Sequence, residues 1–419
     1  MVMPLDGDTV VVRTKSELLE CLKTPTKPII YIDDSAEIDL TGEQNIRIPP
    51  NITLKSGRGE NGSLGGLLFT EELPVISPST HSDFKLFIID DSEKGTVSLS
   101  GIRLRGPITE VGALEQQPYW RSIELSSNSC DLVIENCELW GWNGAAIMLT
   151  NSCRAHIINS YIHHNRGAGY GYGIALDFAS FAVIEENLFD YNRHAIAGSG
   201  RSGQVYEARR NVVGLHQTII DYRSIPKLKC IEINHDFDIH GVNKTSSSPA
   251  GKKVTIEHNL FLSKGGGSAI KIRGIPEEEC PIQNNKFAWG KQEEAINKDF
   301  HYKNLNISDN EFGISNKACY VSWGSKTFWQ FLRLLDSQIS ELAFGDFNGV
   351  GRTDILIADA SNFWVTSGPN FTFKKLRSSD GLTVRDLAFG DFNGDKRTDI
   401  FRCFNSQLDE HESHLIPSC

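Results

Sequence analysis

The chain has 419 residues, a length that predicts two or three domains and a sizeable buried core. Its 42 Lys and Arg residues against 53 Asp and Glu residues give a formal net charge of −11, which argues against nucleic acid as a partner. Hydrophobic residues make up 39% of the chain, and no apolar run is long enough to cross a bilayer, so we expect no membrane insertion.

The N-terminal segment carries the pattern of a short helix. Thr14 and Glu17 form a capping-box sequence, and Leu18, Leu19 and Leu22 recur at helical spacing. We therefore expect a helix within residues 8–25 that covers the first coil of the fold that follows and protects its sheet edge. The apolar runs 29–32 and 46–54 predict the first strands.

A repeat marked by asparagine runs through the middle of the chain. Successive markers are 23 to 28 residues apart, with Asn234 filling the one large gap, and they are Asn136, Asn159, Asn187, Asn211, Asn234, Asn259, Asn285 and Asn310. This period predicts the coils of a parallel β-helix, with the asparagine amides forming a ladder from coil to coil. We expect this all-β solenoid to occupy residues 1–315. A β-sandwich with coincidental spacing is the alternative.

The run from Ile29 to Gly59, which includes the segment Ile-Thr-Leu-Lys-Ser-Gly-Arg-Gly at 52–59, precedes these coils. Together they resemble the right-handed parallel β-helix proteins of the pectate-lyase superfamily over about residues 8–315. The resemblance implies one of several activities, since that superfamily contains polysaccharide lyases, glycoside hydrolases, esterases and non-catalytic binding proteins. The chain has no Arg-x-Pro-x-x-Arg segment of the kind several pectate lyases use, so pectate itself is not the expected substrate.

In a β-helix, residues at equal offset from the marker lie above one another, about 4.8 Å apart. The window four to seven residues past each marker is rich in aromatic, imidazole and basic side chains, and we expect these to line a groove. The window holds Trp140, Trp142, His163, His164, Arg166, Tyr191, Arg193, His194, Asp238, His240 and Lys264. Arg273 could flank the same groove, although a solvent-facing strand is the plainer interpretation.

Aromatic rings stack on sugars, and a basic stripe faces anions, so the groove suits an extended acidic polysaccharide. β-Elimination from a uronide needs a cation for the carboxylate, a base and an acid. We assign Arg193 as the cation, His194 or His240 as the base, and Tyr191 or Lys264 as the acid. Hydrolysis by paired carboxylates and a binding function without catalysis are the alternatives.

The segment 234–241 is the densest cluster of titratable groups. If it is extended, Asp236, Asp238 and His240 share one face and His235 points away, which would allow an Asp–His dyad or a metal site. Caps of a turn and solvated histidines are the plainer interpretation.

Residues 316–419 carry a different repeat, because Leu-Ala-Phe-Gly-Asp-Phe-Asn-Gly at 342–349 returns at 387–394. Oxygen ligands at alternating positions of a tight loop suit calcium. The expected ligands are Asp391, Asn393, Asp395 and Asp399 in the second copy and Asp346, Asn348 and Asp354 in the first. The first copy should bind more weakly because Val350 replaces a carboxylate. The motifs resemble the FG-GAP (VCBS) repeats of β-propeller blades; an Asp/Asn turn without an ion is the alternative.

The compartment is suggested by five Asn-x-Ser/Thr sequons, which would permit glycosylation on a secretory route. They begin at Asn51, Asn61, Asn243, Asn306 and Asn370. Residues Met1 to Asp8 show no signal peptide, which could have been removed. We expect a secreted, extracellular monomer with a polysaccharide substrate.

Overall fold

A computed structural model shows that the chain divides into two compact units near residue 316. The residues that the structure describes are 7–60, 63–71, 84–90, 92–108, 119–167, 169–216, 219–221, 231–243, 245–263, 267–314, 318–321, 330–334, 341–349, 353–359, 361–367 and 372–402. Within the described ranges, no helix has the length and apolarity that a membrane crossing requires.

The first unit is a right-handed parallel β-helix, as predicted, in which each coil contributes one strand to each of three parallel sheets. The first sheet has eleven strands. In spatial order they are Thr9–Val12, Ile29–Ile32, Thr53–Lys55, Gly95–Ser100, Cys130–Glu135, Arg154–Ile158, Phe181–Glu185, Val205–Arg209, Lys253–Glu257, Cys280–Gln283 and Leu305–Ser308.

The second sheet has ten strands and follows the first after a short turn. They are Glu37–Asp39, Leu67–Phe69, Arg103–Arg105, Glu138–Trp140, Tyr161–His163, Leu188–Asp190, Val212–Val213, Leu260–Phe261, Lys286–Phe287 and Glu311–Phe312.

The third sheet has nine strands and completes each coil. They are Ile46–Arg47, Phe84–Ile89, Trp120–Leu125, Ala145–Leu149, Tyr172–Leu176, His194–Gly198, Phe237–Ile239, Ile270–Ile272 and Ile296–Lys298. A short antiparallel pair, Ile219–Asp221 with Ile231–Ile233, and a four-residue helix, Gln292–Ala295, complete the described elements of this unit.

The predicted helix spans Lys15–Lys23, and its capping box is formed as expected. The Thr14 side chain accepts the Glu17 backbone N–H at 3.3 Å, and the Glu17 carboxylate accepts the Thr14 N–H at 3.0 Å. Leu18 and Leu22 are buried in the core of the solenoid, so the helix packs on its first coil. The apolar run 46–54 is interrupted, because the strand Ile46–Arg47 ends before Pro49.

Inward side chains form columns along the solenoid axis. One column in the third sheet pairs Ile123, Ile147, Ile174, Ile196, Phe237 and Ile270 in successive strands. All are essentially inaccessible to solvent. Because parallel register repeats at about 4.8 Å, each side chain packs on the next coil's counterpart, and this burial is the main stabilising contribution.

The turn between the first and second sheets carries a ladder of buried side-chain amides. The Oδ1 atom of Asn211 accepts both the backbone N–H of Asn187 at 3.0 Å and its side-chain Nδ2–H at 3.1 Å. The same double contact links Asn211 to Asn259, Asn259 to Asn285, and Asn285 to Asn310. The predicted amide ladder is therefore present in this part of the solenoid.

Three of the predicted ladder positions are wrong. Asn136 and Asn159 lie one residue earlier, at the turn position with positive φ, and Ser160 occupies the ladder position in the latter coil. Asn234 precedes a strand of the third sheet instead of a strand of the second. Asn211 bonds directly to Asn259 across 48 residues, so one coil here carries a long excursion that counting along the sequence mistook for two coils.

The second unit contains a four-stranded antiparallel sheet and a following two-stranded pair. The strands are Leu342–Gly345, Asp354–Ala358, Asn362–Ser367 and Thr372–Ser378, then Leu387–Gly390 and Asp399–Arg402. Both sequence copies fold alike, because Gly345 pairs with Asp354 as Gly390 pairs with Asp399. A separate pair is formed by Ala318–Val321 and Gln330–Leu334, and Val384–Asp386 is a turn of 3₁₀ helix.

The ladder predicts a large stability difference between two asparagines. We expect Asn211→Ala to lower the free energy of unfolding by about 3 kcal/mol, because it removes the acceptor of the buried Asn187 backbone N–H and the donors that Asn211 supplies to the Ile184 carbonyl and to Asn259 Oδ1. Asn128→Ala is the control, since Asn128 is exposed and its side chain bonds only to the adjacent Ser129 among the described contacts; its effect should stay within about 0.5 kcal/mol. Urea unfolding measures both values, and equal losses would contradict the importance of the ladder.

Candidate functional site on the outer face of the third sheet

The outer face of the third sheet carries two rows of side chains that run from coil to coil. Arg121, Ala145, Tyr172 and His194 pair in register across four successive strands. A second row, on the same strands and beyond, contains Glu124, Met148, Ala175, Ala197, Asp238 and Lys271. Small residues thus occupy the middle of this face and charged residues lie towards both ends.

A second amide ladder fixes the turn that leads into this sheet. Asn165 and Asn192 are buried, and the Asn165 Nδ2–H donates to Asn192 Oδ1 at 2.8 Å. The next residue, Arg193, donates its backbone N–H to the carbonyls of Asn165 and Gly171, each at 3.0 Å. These bonds hold the backbone of Arg193 at the side of the third sheet where the strands begin, just before the strand His194–Gly198.

Arg193, Tyr172 and His194 form a compact group at this edge. The Arg193 guanidinium donates a hydrogen bond to the Tyr172 side chain and lies 5.8 Å from its ring centroid. The rings of Tyr172 and His194 stack with centroids 5.6 Å apart. Burial raises the pKa of Tyr172, whereas the positive charge of Arg193 opposes that rise. A phenol and a cation are therefore held together beside a buried imidazole.

His194 continues into a network with His235, Asp238 and Arg273. Its Nδ1 lies 2.6 Å from the His235 carbonyl oxygen, which can only accept, so Nδ1 carries the hydrogen and Nε2 keeps its lone pair. Burial, with the neighbouring His235, lowers the pKa of His194 well below its usual range. The imidazole is therefore neutral at pH 7.

Asp238 is the charged centre of that network and is 1% exposed. Its carboxylate accepts bonds from Arg273 through both oxygens, including Nε to Oδ1 at 3.1 Å, and lies 3.5 Å from His235 Nε2. Burial alone would raise the pKa of Asp238, but His235 and Arg273 together hold it well below its usual range. One nitrogen or oxygen ligand atom each from His194, His235 and Asp238 lie within 4.8 Å of one another.

Other predicted residues gather at the turn between the second and third sheets. The Tyr191 ring stacks between those of His164 and His216, at centroid distances of 4.4 and 4.1 Å, and Arg166 lies 5.0 Å from the same ring. Trp140 stacks on His163 at 5.6 Å on the outer side of the second sheet. The sequence window therefore identifies a column of neighbouring side chains at this turn. Tyr191 stacks on His164 and His216 in that column and does not stack on His194, which stacks on Tyr172.

Two site predictions are wrong, and a third lies outside the described residues. Trp142 is fully buried in the core, because the column that it shares with Asn165 points inward, so it cannot stack on a sugar. His240 lies just after the C-terminal end of its strand, whereas Arg193 lies just before the N-terminal end of the adjacent strand. The two residues are therefore separated by the length of the strands. The misplaced marker Asn234 caused this second error. Lys264 is the prediction that lies outside the described residues.

His235 also departs from the prediction. The segment 234–236 is a turn before the strand, so the assumed alternation fails and His235 contacts Asp238 instead of pointing away. Tyr172 received no catalytic assignment from the sequence. Its register with His194 would have identified it, but the two are separated by 22 residues and Tyr172 lies outside the marker window. Arg273, predicted to flank the groove, is engaged with Asp238 on the same face.

The two loops of the second unit each bring carboxylate and amide side chains together. In the second loop, Asn393 Nδ2 lies 3.4 Å from an Asp395 oxygen and 3.5 Å from an Asp399 oxygen, so these groups converge. Asp391 accepts the backbone N–H groups of Gly394 and Lys396. In the first loop, both Asp354 oxygens accept bonds from Asn348; Asp346 is also described, but Val350 lies outside the described residues. The carboxylate and amide donors fit a hard cation such as calcium.

Comparisons with known proteins agree with this fold. A family model described as a right handed beta helix region matches residues 121–287. An alginate lyase from Paenibacillus sp. strain FPU-7 is 13% identical, with 73% of this chain and 96% of that one covered and a TM-score of 0.46.

Two other solved structures are similar at a comparable level. A DFA-IIIase from Arthrobacter chlorophenolicus A6 is 11% identical over 72% of this chain and 90% of that one, with a TM-score of 0.32. The Dettilon tailspike protein is 12% identical over 96% and 90%, with a TM-score of 0.32. At these identities the likeness concerns the fold alone. No curated protein matches the sequence.

The stacked imidazoles predict a pH-dependent loss of stability. Burial, with the neighbouring His163, lowers the pKa of His164 from 6.5 to about 4. Below pH 6.5 the unfolded chain takes up a proton that the native ring resists, so the free energy of unfolding falls between pH 6.5 and 4. Between pH 7.5 and 5 we expect His164→Asn to lose about 1 kcal/mol less than the unmodified chain in urea unfolding, because solvent screens part of the effect at this half-buried ring.

A matched control exists for this measurement. His258 also has positive φ, at 57° against 53° for His164, but its side chain is exposed to solvent. His258→Asn should therefore leave the pH dependence unchanged. If His164→Asn and the unmodified chain lost the same stability on acidification, the inferred resistance of His164 to protonation would be wrong.

Proposed function

We propose that this protein cleaves an acidic polysaccharide by β-elimination at the outer face of the third sheet. The observation that carries the proposal is the pairing of Arg193 with Tyr172 at the sheet edge. Elimination from a uronide requires a cation that stabilises the charge developing on the carboxylate and a group that moves a proton beside it. Arg193 and Tyr172 supply these two properties in one place.

In the reaction that fits this pair, one side chain, Tyr172, both accepts and returns the transferred proton. The guanidinium of Arg193 binds the uronate carboxylate through two parallel hydrogen bonds. Burial keeps Tyr172 protonated at rest, and its hydroxyl donates to the Gly169 carbonyl at 3.2 Å. The hydroxyl proton therefore first leaves to solvent, and the phenolate, stabilised by Arg193, then accepts the proton from the carbon beside the carboxylate. The bond to the leaving glycosidic oxygen then breaks, a carbon–carbon double bond forms, and the phenol returns the proton to that oxygen.

His194, predicted as a base, stacks on Tyr172 from the next coil and is only 2% exposed. A polymer therefore reaches the Tyr172 phenol more readily than the imidazole. His240 is more exposed but lies at the other end of the sheet strands. We therefore propose Tyr172 in place of Tyr191 and of both imidazoles as the residue that transfers the proton.

The charge along the outer face supports a polymeric anion. Arg121 and Lys85 bind Glu124 at one end of the face, and Lys271 and Arg273 lie at the other. Five strand steps separate the strand of Arg121 from that of Lys271, which corresponds to about 24 Å. Several sugar units are needed to span that distance.

Hydrolysis is less well supported, because it needs a carboxylic acid with a raised pKa. Asp238 and Glu138 are two buried or half-buried carboxyls that contact histidines, and the pKa of each is lowered. In both cases burial opposes ionisation, and a neighbouring histidine and arginine outweigh it. Asp238 is therefore a poor proton donor at neutral pH.

The proposal extends to location and assembly. Acidic polysaccharides of this length are encountered outside the cell, so we propose an extracellular location. We also propose that the protein acts as a monomer.

The lyase proposal predicts an ultraviolet-absorbing product. We expect the purified chain, incubated with a panel of acidic and neutral polysaccharides, to release unsaturated uronate from an acidic one. Tyr172→Phe should reduce kcat at least 100-fold, because the ring stack remains but proton transfer is lost. Arg193→Lys should reduce kcat/KM at least tenfold, because Lys cannot bind a carboxylate through two parallel bonds.

His240→Gln is the matched control and should retain activity. Full activity of Tyr172→Phe together with inactivity of His240→Gln would instead assign the base to His240. Reducing ends without absorbance would show hydrolysis, and tight binding without any product would show a binding protein; either outcome would overturn the lyase proposal.

We also propose that the loops of the second unit bind calcium, the second more tightly than the first. Support comes from the convergence of Asn393, Asp395 and Asp399 and from the oxygen-only donor set. The ion would be held by Asp391, Asn393, Asp395 and Asp399 in the second loop, and its charge would relieve the repulsion among their carboxylates.

Calcium should therefore stabilise the second unit. We expect added Ca²⁺ to raise its thermal midpoint by several degrees, and Asp399→Asn to abolish most of that rise, as followed by differential scanning calorimetry. Asp380→Asn, at an exposed position outside both loops, is the control. An equal rise in the Asp399→Asn variant would place the ion elsewhere, and no rise in the unmodified chain would remove calcium from the proposal.

A further inference from the structure

The network behind Tyr172 has the composition of a transition-metal site. His194 begins one strand of the third sheet, Asp238 lies in the next strand, and His235 lies in the turn that precedes it. One ligand atom from each residue falls within a 4.8 Å cluster. Two imidazoles and one carboxylate are a donor set for divalent zinc, cobalt or nickel, whereas calcium and magnesium prefer oxygen alone.

The hydrogen bonds around the cluster are those that orient metal ligands. His194 donates Nδ1–H to the His235 carbonyl at 2.6 Å, which leaves Nε2 unprotonated. Arg273 binds both oxygens of the Asp238 carboxylate and fixes its plane. Metal-binding histidines characteristically donate their second ring N–H to a carbonyl, and metal-binding carboxylates are themselves hydrogen-bonded.

An independent observation concerns His235. Its Nε2 atom is buried and makes no hydrogen bond, although it lies 3.5 Å from Asp238 Oδ1. Buried polar atoms without a partner are uncommon and call for an explanation such as an ion. His194 and Asp238 beside it are 2% and 1% exposed, so the cluster is also shielded from competing water.

We propose that His194, His235 and Asp238 bind one divalent transition-metal ion, with zinc as the representative ion. Tetrahedral zinc bound at about 2.1 Å separates its ligands by about 3.4 Å, so the cluster contracts by about 1 Å on binding. The site goes beyond the proposed function and is independent of it. The ion would hold the ring of His194 against Tyr172 and join the two coils.

The test measures metal directly, without substrate. The full chain is stripped with a chelator, supplied with excess Ca²⁺ to fill oxygen sites, and titrated with Zn²⁺ by calorimetry and with Co²⁺ by visible absorption. We expect one Zn²⁺ per chain and the intense visible bands of four-coordinate Co²⁺. His235→Gln should weaken Zn²⁺ binding at least 100-fold, and Asp238→Asn should weaken it at least tenfold.

His240→Gln is the control, because His240 follows the same strand but is not in the cluster. It should bind Zn²⁺ as the unmodified chain does. Circular dichroism of the metal-free variants establishes that each is folded, and Asp238→Asn serves if His235→Gln is not. Absence of stoichiometric Zn²⁺ binding, or unchanged affinity in both folded variants, would overturn the proposal whether or not the chain is a lyase.

Discussion

The stacking of one coil on the next in parallel register is the constraint on which the rest of this structure depends. It is enforced by buried amides that satisfy the turn between the first and second sheets, where each residue before the ladder adopts positive φ. That conformation is unfavourable for residues such as Arg210 and His258. The ladder compensates because one carbonyl oxygen of Asn259 accepts two N–H groups of Asn211.

The same register determines where chemistry can lie. Apolar residues, several of them aromatic, fill the interior columns, so the charged side chains of the described residues lie at the turns and on the outer sheet faces. At the edge of the third sheet, a second amide pair, Asn165 with Asn192, fixes the backbone just before Arg193. Tyr172 and His194 then meet because they occupy equivalent positions on adjacent coils. The site is rigid because its geometry is that of the solenoid.

The charged residues of this face form ion pairs, which offset the free-energy cost of burying each charge. Asp238 would be costly to bury alone, and Arg273 with His235 keeps it ionised. Glu124, which is also buried, forms ion pairs with Lys85 and Arg121 at the other end of the face. Each pair keeps its cation at a defined place on the face, and the proposed recognition of an anionic polymer rests on such fixed cations.

Sequence patterns alone were enough to predict the solenoid, its N-terminal helix and the duplication in the second unit. A 25-residue period and a capping box are local patterns, and each coil repeats the same packing problem. The window past each marker also contained Arg193 and His194 of the proposed site. Coil-to-coil packing was needed to show that Trp142 lies in the core and that Tyr172 and His235 contact His194 or its neighbours. The excursion between Asn211 and Asn259 makes one coil 48 residues long, close to twice the repeat, so counting along the sequence interprets it as two coils. Once a coil contains such an insertion, spatial register cannot be derived from sequence spacing.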